Sequence, residues 1–142
     1  MKTSFNLKEN PFVLLLFTTI TLLFAFAFRP IANVSFQDKV AFGIPLDNIV
    51  WIIPFFLISF WLLYLATKKF LYSVTATWVH VLTTVISTVL IVSVLYIGIN
   101  PSSYIIDRYE LVGNIIQVLA LVFVVGQFIY LANIGLGIWE RL

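Results

Sequence analysis

Residues 74–99 read VTATWVHVLTTVISTVLIVSVLYIGI, a 26-residue run without a single Asp, Glu, Lys or Arg. A water-soluble helix of that length carries charge on one face. Here the polar positions are hydroxyls and one imidazole, His80, and everything between them is apolar. The hydrocarbon core of a bilayer is about 30 Å thick and needs about 20 helical residues. The run is therefore long enough to cross, with residues to spare for tilt or protrusion. Working outward, three more such runs appear: Phe12–Phe28 before Arg29-Pro30, Ile49–Ala66 before Lys68-Lys69, and Leu111–Ile138 before Glu140-Arg141. None alternates apolar with polar in the manner of a barrel strand. Only helices satisfy their own backbone groups in lipid. The expected fold is all-α, a four-helix transmembrane bundle, with residues 1–142 forming a single integral membrane domain.

Composition agrees. The 142 residues are 62% hydrophobic and 10% charged, against about 45–50% and about 25% in soluble domains. Mean hydropathy is +1.10. Eight Lys+Arg and six Asp+Glu cannot solvate a globule of this size, which excludes a soluble enzyme, a nucleic-acid binder and a disordered chain. The net charge of +2 is too small for a polyanion site. Without Cys there are no disulfides, thiolate metal sites or Fe–S clusters. With one His as well, a structural zinc site has no ligand set.

Charge counts set the expected orientation. With both termini cytoplasmic, Lys2, Lys8, Lys68, Lys69 and Arg141 lie inside, and Arg29, Lys39 and Arg108 outside. Aromatic residues collect near span ends: Trp51, Tyr96, Tyr104 and Tyr109 at one boundary, and Trp61, Tyr64, Tyr72, Trp78 and Trp139 at the other. Ala25-Phe26-Ala27 has the small-x-small spacing of a signal-peptide cleavage site. Bulky Phe28 and charged Arg29 follow at once, so a retained first span is expected. Pro54 should start or bend the second helix.

Ionisable groups within a span are the default functional residues of a membrane protein. No Asp, Glu, Lys or Arg lies mid-span, which weighs against a pump, an ion-coupled transporter or a voltage sensor. His80 shares a helical face with Thr84 and Ser87, and with Ser73 and Thr77 behind it. That face reads either as an axial haem ligand or quinone partner, or as a polar stripe bonding across to a neighbouring helix. Packing is the preferred reading, because a six-coordinate haem has no second ligand here. Thr83-x-x-x-Ser87 and Thr84-x-x-x-Thr88 permit close helix approach. The fourth run carries Asn114 and Gln117 on one face, then Gly126, Gln127, Asn133, Gly135 and Gly137, without a strict G-x-x-x-G. Buried amides in lipid require partners. Asn114, Gln117 and Gln127 are thus expected to face protein, within the bundle or on another subunit. Asp38, Asp47, Asp107 and Glu110, beside Arg108, read as interfacial charges that end helices rather than as a divalent-cation site.

Three strings in order resemble the last three helices of haem-copper oxidase subunit I. Asn33–Pro45 (NVSFQDKVAFGIP) is similar to the D-I-x-L-H-D-T-Y-x-V lead-in to that family's tenth helix. Thr77–Ile86 (TWVHVLTTVI) is similar to the K-I-H-F-W-L-T-F-I-G of the eleventh, and Pro101–Gln117 to the lead-in to the twelfth. The resemblance covers about 33–138 and leaves the first helix outside. Small stand-alone membrane proteins with this three-helix pattern exist, and the chain resembles those most. The family's paired haem ligands would fall at Pro45 and Asp47, neither of which ligates iron as imidazole does. Gln37 stands at the His of the lead-in motif, Lys39-Val40 at its Thr-Tyr, and only Arg108 at the paired propionate-binding arginines. His80 matches an eleventh-helix His that is not a haem ligand in that family. The resemblance thus implies fold and company, while oxygen reduction is contradicted.

The resulting expectation is a non-catalytic, multi-pass protein of the cell membrane, of bacterial inner-membrane type. It would serve as an accessory or structural subunit of a larger membrane complex, such as a respiratory one. Its partners would be the lipid bilayer and other membrane subunits, with no nucleic acid and no cofactor. His80, Thr84, Ser87, Asn114 and Gln117 are the expected helix-packing or partner-interface residues. The alternative is a haem- or quinone-binding redox protein using His80. A channel or exporter lacks a charge ring or polar lining.

Overall fold

The computed structural model describes residues 8–28, 40–41, 44–99 and 109–142, with side chains described over 8–28, 51–94 and 114–142. The described residues form an all-α fold with four helices: α1 (Val13–Phe28), α2 (Leu46–Thr67), α3 (Val74–Ile99) and α4 (Tyr109–Trp139). A 3-10 turn at Lys68–Phe70 precedes α3. The one strand pairing among the described residues is a two-residue antiparallel ladder, Val40–Ala41 with Ile44–Pro45, within the long connector before α2. Of the sequence features singled out above, Lys2, Arg29, Asn33–Lys39 and Pro101–Arg108 lie outside the described residues, and so do the side chains of Asp47, Tyr96, Tyr109 and Glu110.

Among the described residues, three helical stretches are long and apolar enough to cross a bilayer: Trp51–Phe70, Val74–Val94 and Asn114–Trp139. The first helix falls short of the four-span expectation. Its 16 residues rise about 24 Å at 1.5 Å each, less than the hydrocarbon thickness. The second begins at Leu46, three residues before the apolar run, with Asp47 and Asn48 already in its first turn. Pro54 consequently sits inside α2 and not at its start. Its missing N–H leaves the Val50 carbonyl without an in-helix donor.

The chain forms two compact units, Met1–Lys68 and Lys69–Leu142. In the first, α1 packs on α2 through apolar and aromatic side chains. Phe12, Val13, Leu15, Leu22 and Phe26 are buried, as are Pro54, Leu57 and Tyr64. Phe12 stacks on Tyr64 with ring centroids 5.4 Å apart, and Phe26 meets Trp51 edge-on at 5.9 Å. Tyr64, an expected boundary aromatic, is thus buried. Several hydroxyls of this unit bond to their own preceding turn: Thr19 to the Leu15 carbonyl at 2.8 Å, Ser59 to Phe55 at 2.7 Å and Thr67 to Leu63 at 2.7 Å.

In the second unit α3 packs on α4, and the arrangement is inverted relative to a soluble protein. Val118, Leu121, Val125, Phe128 and Leu131 point outward. The α3 face turned inward consists of Thr77, His80, Val81, Thr84, Ser87 and Thr88. On α4 only Gly126, Tyr130, Asn133 and Gly137 are buried among the described side chains. Steps of four, three and four residues hold these on one line of a 3.6-residue helix.

Candidate functional site

The α3–α4 seam contains two hydrogen-bonded clusters. Near mid-span, His80 Nε2 lies 3.0 Å from Gln127 Oε1 and 3.3 Å from Thr84 Oγ1. Gln127 Nε2 donates to the Phe123 carbonyl one turn back, at 2.8 Å, and reaches Thr84 Oγ1 at 3.3 Å. Because the amide nitrogen is committed to a carbonyl, the amide oxygen is the atom turned to the imidazole. An amide oxygen only accepts, so in this arrangement Nε2 of His80 carries the hydrogen. The imidazole also lies against the Tyr130 ring, with centroids 5.3 Å apart and planes tilted by 35°. His80 is wholly buried.

Nearer the turn before α3, Asn133 joins the two helices with every polar atom of its side chain. Oδ1 accepts from the Ser73 backbone N–H at 2.8 Å, and Nδ2 donates to the Ser73 carbonyl at 3.1 Å and to Thr77 Oγ1 at 3.0 Å. The Asn133 carbonyl accepts from the Tyr72 N–H at 3.2 Å. Ser73 is also the N-cap of α3, accepting from the Ala76 N–H at 3.3 Å. Donors left orphaned at a helix start are thereby satisfied both locally and from α4.

Two glycines make these distances possible. A Cβ on Gly126 would stand 3.1 Å from Thr83 Cγ2, so the absence of a side chain lets α3 approach at the level of Thr83 and Thr84. Gly137 is under tighter constraint. A Cβ there would overlap the Phe70 carbonyl oxygen and lie 2.8 Å from its carbon and 3.0 Å from the Tyr72 nitrogen. The backbone of the turn rests directly on α4. Gly135, two residues away, has nothing within 4 Å of that position.

The structure brings together three of the five expected interface residues. His80 and Thr84 are in the mid-span cluster. Ser87 is buried one turn on, its hydroxyl bonded to the Thr83 carbonyl. Asn114 and Gln117 do not join them and are exposed on this chain. Gln117 precedes Gly126 by nine residues, about 900° of helix or half a turn beyond two full ones, which is the opposite face. Gln127 does face protein, as expected. Asn133 and Tyr130 carry more of the seam than the sequence indicates. The signal that finds them is the 126-130-133-137 spacing, which pairs the small and polar positions of α4 into one stripe.

Depth follows from the rise per residue. Counting from the turn at Phe70–Ser73, Thr84 lies about 16 Å up α3, and Gln127 about 15 Å up α4 from Gly137. The Thr84–Gln127 level of the cluster therefore lies about half of a 30 Å hydrocarbon thickness from that turn. Its groups are an imidazole, an amide and a hydroxyl, whose mutual bonds fix the rotation and register of one helix on the other. Among the described residues no group of three or more His, Cys, Asp or Glu is placed to hold a metal ion. No known family's sequence pattern, no curated protein and no solved structure matches the chain.

Proposed function

We propose that the protein is a non-catalytic, multi-pass component of the cell membrane, an accessory or structural subunit packing against other membrane subunits. The observation that supports this reading is the distribution of partners on α4. Its inward stripe is taken up by α3, with Gln127 and Asn133 both engaged. The rest of its described circumference is mainly apolar and uncovered, with Leu121, Phe128 and Leu131 each at least 60% exposed. Such a helix offers neighbouring subunits open apolar sides and, near its start, the exposed amides of Asn114 and Gln117. The resemblance to the final helices of an oxidase subunit makes a respiratory complex the company of choice. Engagement of His80 Nε2 by Gln127 and Thr84 favours packing over ligation for that residue.

Orientation belongs to the same proposal. Lys69 and Arg141 both lie beside Phe70, at one end of the α3–α4 pair. The positive-inside tendency assigns that end to the cytoplasm. A cysteine introduced at Leu142 would then react with an impermeant maleimide only after permeabilisation.

Isolation from native membranes in mild detergent, with mass spectrometry of the intact assembly, tests the role. The expected result is a larger membrane assembly in which this chain contributes no visible chromophore. A Soret band in the purified chain that disappears in His80→Ala would replace this reading with a haem-binding one. Recovery of the chain only as a free monomer would remove the subunit role.

A further inference from the structure

At the turn end of the second unit, two cations converge on one ring. Lys69 Nζ lies 4.8 Å from the centroid of Phe70, and Arg141 Cζ lies 5.7 Å from it. Both distances are within the reach of a cation–π contact. The charge centres are thus no further apart than those two distances laid end to end. Both side chains are exposed, Phe70 is half-buried, and among the described residues no carboxylate is paired with either cation. The backbone of Phe70 rests on Gly137, so the packing of the turn on α4 fixes where the ring is attached.

The depth of this pair is marked independently. The spans Val74–Val94 and Asn114–Trp139 both end here. Trp139 and Tyr72, 78% and 52% exposed, flank the site as aromatic residues do at the headgroup level. Two like charges over one ring repel each other, and an anion between them relieves that repulsion. At this depth the anion at hand is the phosphodiester of a lipid. Glu140, exposed and next to Arg141 in the chain, is a competing negative charge.

We propose that Lys69 and Arg141, organised by Phe70, form a binding site for the phosphodiester headgroup of an anionic phospholipid. The site rests on the membrane placement of α3 and α4 and is independent of the accessory role. Each basic residue near a membrane surface contributes about 1 kcal/mol toward anionic lipid, about a five-fold effect on affinity.

The test uses the full chain in nanodiscs of phosphatidylcholine containing phosphatidylglycerol, with native mass spectrometry of retained lipid after transfer to detergent. Wild type should retain phosphatidylglycerol over phosphatidylcholine, and Lys69→Gln and Arg141→Gln should each lower that preference about five-fold. Phe70→Leu keeps both charges and should still weaken retention, because the cations lose their common support. The charge-preserving Lys69→Arg/Arg141→Lys double variant should retain it, and Glu140→Gln should not weaken it. Millimolar glycerol phosphate should fail to compete. Equal retention of the two lipids by wild type, or unchanged preference in Lys69→Gln/Arg141→Gln, would overturn the site. Competition by glycerol phosphate would overturn its assignment to lipid. A chain that does not incorporate into nanodiscs at all would instead refute the membrane placement, which separates the two failures.

Discussion

The two helical units solve the same problem with different chemistry. In residues 1–68, α1 and α2 meet through Leu15, Leu57, Phe12 and Tyr64, and the hydroxyls of Thr19, Thr21, Ser59 and Thr67 bond to their own helices. In residues 69–142, α3 and α4 meet through an imidazole, two amides and several hydroxyls that bond across the seam. Lipid tails are as apolar as Leu, so burying Leu15 or Leu57 within a membrane gains little hydrophobic free energy. The first pairing rests on dispersion and ring stacking, which tolerate sliding. Directional bonds at two levels, His80–Gln127 and Ser73–Asn133, set the second in one register. The comparison shows that apolar content decides whether a helix enters the membrane, while the few polar positions decide how it docks there.

Substitutions ranked by expected effect would sharpen or break this contrast. The largest is Gly137→Val, which drives a side chain into the Phe70 and Tyr72 backbone. A loss of about 3 kcal/mol is expected, at the upper end of overpacking costs, measured by denaturant titration of helix content in micelles. Gly135→Ala, in open space, should change stability by well under about 1 kcal/mol and serves as its control. Next, Asn133→Leu removes three cross-helix bonds and should cost about 2 kcal/mol, at roughly 0.6 kcal/mol per intramembrane bond. A double-mutant cycle of His80→Ala and Gln127→Ala should return a coupling of about 1 kcal/mol. A coupling near zero would dissolve the distinction between the units. The smallest effect belongs to the first unit. Thr19→Val loses only a bond to its own Leu15 carbonyl and should shift stability by less than about 0.5 kcal/mol.

Much of this architecture is legible in the sequence. The bounds of α3 coincide with the uncharged run at 74–99, and α4 extends the run at 111–138 by no more than two residues at either end. Charges and Pro punctuate apolar runs sharply, so span limits are easy to read. The His80–Thr84–Ser87 face is legible as well, because the helical period alone collects those residues. The partner face of α4 is harder. Asn114, Gln117, Gln127 and Asn133 are all amides in one apolar helix, and composition does not rank them. Rotation does: Asn133 lies on the Gly126–Gly137 line, and Gln117 lies across from it. The first apolar run, Phe12–Phe28, is read to within one residue of α1 (Val13–Phe28), the shortest of the four helices. The Gly137 contact is not legible at all, since it depends on the backbone of a turn at Phe70, far earlier in the chain.

The sequence distance between His80 and Gln127 is 47 residues, and this bears on how the protein is made. While the ribosome adds those residues, the imidazole of α3 has already entered the insertion machinery and its amide partner does not yet exist. Releasing α3 alone would leave the imidazole with the Thr84 hydroxyl of its own helix and without the Gln127 amide, whereas Thr19 and Thr21 of α1 close on their own backbone. The distance therefore favours insertion of α3 and α4 as a pair over insertion one at a time.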